Sequence, residues 1–194
     1  MAMNNIKSEV LAYIEGNSYT PLLPNELAKA LNLPKKEYKS FTALLKSMEQ
    51  DGELVFSKKG KIMTLESCNL MAGKYSSSER GFGFVTADKD TGVGDIFIPS
   101  RFSFGAMHGD RVLVRILAKN IGNQKSEGEI VRVISRNTKT ITGTFEKGKG
   151  HGFVIPDNRR YCSDIYVANK DSMKANDGDK VKVSIRMRGR QQAH

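Results

Sequence analysis

Two cysteines and three histidines are all that the 194-residue chain offers to redox or metal chemistry. Cys68 and Cys162 stand far apart and belong to no CxxC or Cys/His pair. That excludes a disulfide-stapled scaffold and predicts free thiols in a reducing compartment. The histidines are scattered, with no Ser/His/Asp or Cys/His grouping for nucleophilic catalysis. No apolar run is long enough to span a bilayer, and the start, MAMNNIKSEV, lacks the charged-then-apolar layout of a secretory signal. No segment joins a basic face to a broad apolar one, so a membrane is not the expected partner. A cytoplasmic protein is expected.

Positive charge is what the chain has in excess. Thirty-one basic residues against twenty-one acidic ones give a net charge of +10. The surplus is uneven: residues 1–66 carry +1, residues 67–135 carry +2, and residues 136–194 carry +7. A surplus gathered at one end points to a polyanionic partner more than to general solubility.

The first third reads as three helices and a hairpin. Ile6, Val10 and Ile14 recur at helical spacing before Gly16-Asn17. Pro24 opens a second helix, with Leu27 and Leu31 inward and Pro34 as its stop. A third helix is predicted from about Lys35 to Asp51, ended by Gly52. ELVF and KIMTLE then flank SKKG, a short hairpin signal. This order predicts a winged helix-turn-helix over 1–66. On the third helix Lys35, Lys39 and Lys46 fall within about 40° of arc, opposite Phe41, Leu44, Leu45 and Met48. The stripe is either a face for a nucleic-acid backbone or a solvated helix surface.

The remainder is an internal repeat. Aligning Gly81 with Gly150 and holding the offset of 69 to Ile116 and Ile185 makes about a third of the columns identical. GFGFVTAD answers GHGFVIPD, DIFIP answers DIYVA, and HGDRVLVRI answers DGDKVKVSI. Upstream, GKY at 73–75 answers GTF at 143–145. Each copy is a series of short strands divided by Gly/Asp turns, which predicts two small all-β barrels, over 71–135 and 140–194. The first runs on into EGEIVRVISR, a fifth and closing strand. The second stops at RMRGRQQAH after its fourth strand, which reads as an incomplete barrel of a protein continuing beyond His194. Within the repeat, Phe82 and Phe84 stand two apart and would share one face of a strand, and glycines at 81 and 83 would leave its other face bare.

RGFGFV and DIFIP resemble the two ribonucleoprotein motifs of cold-shock domains, five-stranded OB-folds that bind single-stranded nucleic acid. A winged helix followed by two such copies, with GAMHGDRVLVRI at 105–116, resembles the N-terminal part of the bacterial ribonuclease R family, processive 3′-to-5′ exoribonucleases of the RNase II group. The resemblance implies an α+β multidomain architecture: a winged helix-turn-helix, then two OB-fold (cold-shock) barrels. It implies base-stacking rings at Phe82, Phe84 and Phe97, and at His151, Phe153 and Tyr166 in the second copy. Arg80 and Lys149 before each motif, with Arg101 and Lys147 nearby, would meet phosphates. Pro99 and Ala168 replace a histidine frequent in cold-shock domains, and His151 replaces a phenylalanine. Ring contact is therefore expected to count for more in the first copy and charge for more in the second.

The family's hydrolytic chemistry uses aspartates and Mg²⁺ in a later domain, and no segment here matches it. No catalytic residue, metal ligand or cofactor is assigned to this chain. DKDTGVGD from Asp88 alternates acids like a calcium loop, yet Pro99 occupies the place of the bidentate Glu. The expected role is an arm that binds single-stranded RNA, with structured RNA as a further partner. The alternatives are a winged-helix DNA-binding regulator and a free-standing cold-shock RNA chaperone.

Overall fold

The computed structural model describes residues 3–89, 92, 94–118, 126–161 and 163–185. Cys162, residues 90, 91 and 93 of the calcium-like loop, and the closing run 186–194 lie outside the described residues.

The N-terminal unit contains α1 (Met3–Ile14), α2 (Pro24–Ala30) and α3 (Tyr38–Gln50), then the hairpin strands β1 (Val55–Phe56) and β2 (Ile62–Met63). Its core joins Val10, Ile14, Leu27, Phe41, Leu45, Met48, Leu54 and Ile62, the inward stripes of the three helices plus the hairpin. Two boundaries differ from the sequence reading. α2 ends at Ala30, before Pro34, because Asn32 takes a left-handed conformation (φ 56°) that closes the helix. Lys35 lies in a 3₁₀ turn, Lys35–Glu37, ahead of α3, so the helical arc computed for it does not apply. The half-buried Cys68 is a free thiol 3.9 Å from the Met63 sulfur.

The first β unit is a closed barrel of β3 (Leu70–Ser77), β4 (Gly83–Ala87), β5 (Ile96–Ile98), β6 (Arg111–Ala118) and β7 (Glu127–Ser135), in the order β3-β4-β5-β7-β6. Met71, Tyr75, Val85, Ile96, Ile98, Val112, Val114 and Ile130 fill it. Closure leaves no unpaired edge. The second unit contains β8 (Thr140–Lys147), β9 (His151–Pro156), β10 (Ile165–Ala168) and β11 (Lys180–Ser184), a four-stranded sheet in the order β10-β9-β8-β11. Even the loops repeat: Phe104 and Met173, one offset of 69 apart, hold φ values of 48° and 49°.

Side chains from the barrel terminate α3. The last carbonyls of a helix lack intrahelical donors and carry the negative end of its dipole. Arg132 on β7 donates to the Glu49 and Gln50 carbonyls, each at 2.8 Å, and Arg111 on β6 donates to that of Asp51 at 2.7 Å. A Cβ on Gly52, the next residue, would lie 2.5 Å from Ile134 Cδ1. Just before β6, the buried Asp110 carboxylate accepts from the Met107 N–H (2.8 Å), the Asn137 N–H (3.0 Å) and Arg136 Nη1 (2.5 Å). That carboxylate fixes the start of the segment leading to β8.

Candidate nucleic-acid interface

The ring motif begins in a tight turn. The Gly81 N–H donates to the Ser78 carbonyl at 3.1 Å, the Ser78 N–H to the Phe82 carbonyl at 2.7 Å, and Gly81 holds φ 88°. A side chain would strain that conformation. The chain then enters β4, where Phe84 pairs with Ser76 on one side and Phe97 on the other. Cross-strand partners share a face, so Phe84 and Phe97 lie together on the outside while Val85, Ile96 and Ile98 point in. Phe82, Phe84 and Phe97 form a triangle with ring centroids 5.6–5.9 Å apart and no parallel pair. All three are half-buried and none belongs to the barrel core.

The second unit repeats the arrangement. Phe153 pairs with Tyr166, and His151 lies 5.3 Å from Phe153 and 5.6 Å from Tyr166, its plane within 25° of the Tyr166 ring. Phe153 is 37% and Tyr166 61% exposed, so this cluster presents more ring surface to solvent than the first.

The glycines do something other than the sequence reading assigned. Gly83 faces inward: a Cβ there would sit 2.3 Å from the buried Tyr75 ring and 2.7 Å from the Ser76 carbonyl oxygen. In the second copy a Cβ on Gly152 would sit 2.3 Å from Phe145. Each β unit therefore carries a large interior ring that only a glycine on the neighbouring strand can accommodate. The strand's other face is occupied by that ring and is not bare. Gly83→Ala is expected to cost the first barrel about 1–3 kcal/mol through overpacking. A urea midpoint matching that of the parent protein would refute this account.

The cations assigned from sequence distribute as follows. Arg80 and Lys149 are exposed in the turns leading to Phe82 and His151, and Lys147 is exposed at the end of β8. Arg101 follows β5, its guanidinium 4.7 Å from the Phe102 ring centroid. Lys35, Lys39 and Lys46 are exposed on the helical unit and belong to neither ring cluster. Two outward residues were missed. Lys74 points outward on β3, one alternation from the Ser76 that pairs with Phe84. Glu146 is the cross-strand partner of Phe153 and exposed, placing an acid where the first copy has serine. The second cluster is thus richer in open ring surface and poorer in charge than the sequence implied. Among the described residues, no group of three or more His, Cys, Asp or Glu side chains is placed to hold a metal.

Comparison with known proteins follows the same division. The model of the Ribonuclease B OB domain matches residues 73–133, and that of the Cold shock domain matches residues 153–193. Ribonuclease R of Vibrio parahaemolyticus is 31% identical over 182 residues, covering 93% of this chain and 22% of that protein. The chain corresponds to the N-terminal region of ribonuclease R. The Escherichia coli ribonuclease R is likewise 31% identical, over 171 residues that make up 87% of this chain and 20% of that protein. The apo form of Mycoplasma genitalium RNase R aligns with a TM-score of 0.49 at 19% identity, covering 59% of this chain and 18% of that one. The chain thus spans about a fifth of the length of the ribonuclease R sequences it matches. No described helix is long and apolar enough to cross a membrane.

Proposed function

We propose that this chain is the RNA-binding arm of a cytoplasmic 3′-to-5′ exoribonuclease, guiding single-stranded RNA toward catalytic machinery outside these residues. The carrying observation is the pair of three-ring clusters on the outer faces of the two β units, outside the core and beside exposed cations. Every base has a π face, so such rings accept any sequence, and the flanking charge follows the backbone. Arg80, Arg101, Lys147 and Lys149 are the proposed phosphate contacts. Hydrolysis, with its Mg²⁺, belongs to the part of the protein that these residues do not include.

The finer division is part of the same proposal: a winged helix-turn-helix over 1–66 and two cold-shock barrels over 71–135 and 140–194. Lys35, Lys39 and Lys46 would then serve structured RNA weakly, beside the stacking sites.

A fluorescently labelled 20-nucleotide oligo(U) should bind, with log affinity falling steeply and linearly against log salt, by about 0.7 per phosphate contact. Absence of binding at low salt would sink the reading. A preference for one duplex DNA sequence, lost on deleting residues 1–66, would replace it with the regulator.

A further inference from the structure

One row of side chains crosses the second sheet from strand to strand. Tyr166 on β10 pairs with Phe153 on β9, and Phe153 pairs with Glu146 on β8. Cross-strand partners share a face, so the row reads ring, ring, carboxylate. The matching row of the first barrel is Phe97, Phe84 and Ser76: ring, ring, hydroxyl. The two copies thus differ in the side chain that a base lying on the central ring meets on the next strand.

Glu146 is exposed, like the two rings beside it, and the strand around it is fixed. The Phe145 side chain is buried, and its N–H donates to the Asp179 carbonyl at 2.9 Å. The Gly178 N–H donates to the Phe145 carbonyl at 2.8 Å, and the Lys147 N–H to Asp177 Oδ1 at 2.9 Å. Glu146 itself enters no ion pair among the described residues. An acid in this place works against a phosphate backbone, so following the backbone does not account for it. What a carboxylate does offer is two acceptor oxygens and no donor, whereas the Ser76 hydroxyl can act either way.

The four bases answer that offer differently. Guanine carries N1–H and the N2 amine side by side on its Watson–Crick edge, one donor for each oxygen. Adenine and cytosine present a single amine beside an acceptor nitrogen, and uracil a single N–H between two carbonyls. Splayed-out bases are read on that edge while they stack. Neighbouring strands lie about 4.8 Å apart, so a base over Phe153 brings its edge within reach of a glutamate on β8.

We propose that Glu146 makes the second ring cluster a guanine-preferring site, its carboxylate accepting from N1–H and the N2 amine of a guanine stacked on Phe153 and Tyr166. This rests on the RNA reading above and adds a base preference that the first cluster, with Ser76 in that place, lacks.

The test is equilibrium binding of the whole chain to labelled U 20-mers carrying guanosine, inosine or adenosine at the same three separated positions. Inosine keeps N1–H and lacks the N2 amine. Adenosine is also a purine, which controls for stacking, but it has an acceptor at N1. The parent should bind the guanosine strand about fivefold tighter than the adenosine strand, the low end for a two-point base contact, with inosine between them. Glu146→Gln should bring the guanosine and adenosine strands within about twofold and bind the adenosine strand no more weakly than the parent does. A loss of affinity shared equally by all three strands would show Glu146 to be structural and would overturn the proposal. So would equal parent affinities for the guanosine and inosine strands, a comparison that needs no variant, or a guanosine preference that persists in Glu146→Gln. Each of these leaves the ring clusters standing. Failure of the parent to bind any of the strands at low salt would remove the RNA reading and this site together.

Discussion

Replacing Phe82 and Phe84 together by alanine is expected to weaken single-stranded RNA binding at least about 30-fold. Base–aromatic stacking contributes about 1–3 kcal/mol per ring, and each 1.4 kcal/mol is a factor of ten in affinity. The two rings, with Phe97, form one cluster, so losing both leaves Phe97 without either neighbour. Because all three lie outside the barrel core, the variant should remain folded, with its circular dichroism unchanged and its melting point within a few degrees of the parent. Equilibrium binding to the oligo(U) 20-mer is the deciding measurement. An affinity within threefold of the parent, in a folded variant, would remove stacking from the account of this surface.

Asp110→Ala should produce the largest loss of stability, about 3–5 kcal/mol, because it strands charge and donors where water does not reach. The carboxylate has no solvent exposure, and Arg136, which it holds, is only 19% exposed. Two backbone N–H groups, of Met107 and Asn137, lose their acceptor in the same change. Asp110→Asn keeps one carbonyl acceptor but drops the charge that balances Arg136, so an intermediate loss is expected. Chemical denaturation of the three proteins gives the ranking, and equal midpoints for parent and Asp110→Ala would refute it. Since Asn137 begins the segment between the β units, the variant should also blunt the response of RNA binding to changes in the second cluster.

The repeat was legible because its signals are local. Alternation over five residues, glycine at sharp turns and Asp-Gly punctuation all act within one strand and its turn. The three inward stripes of the helical unit were legible for the same reason. What could not be read are relations set by register and docking. Glu146 becomes the neighbour of Phe153 only once β8 and β9 pair, and Lys74 joins the Phe84 face only through the β3–β4 ladder. The role of Gly83 requires knowing that Tyr75 lies beneath it, eight positions earlier in the chain. Arg160 meets His108 across 52 residues, and no periodic pattern encodes that distance. Proline likewise gave a false boundary: Asn32, by turning left-handed, ended α2 before Pro34 was reached.

The guanidinium groups that close the end of α3 have a consequence for motion. Arg132 and Arg111 grip three consecutive carbonyls from strands that are themselves locked in a closed ring. The helical unit therefore has no free swivel on the barrel, and the two should rotate in solution as a single rotor with one correlation time. A structured ligand approaching from the lysine side would meet a rigid bracket of preset angle, sparing it the entropy of halting a wagging domain.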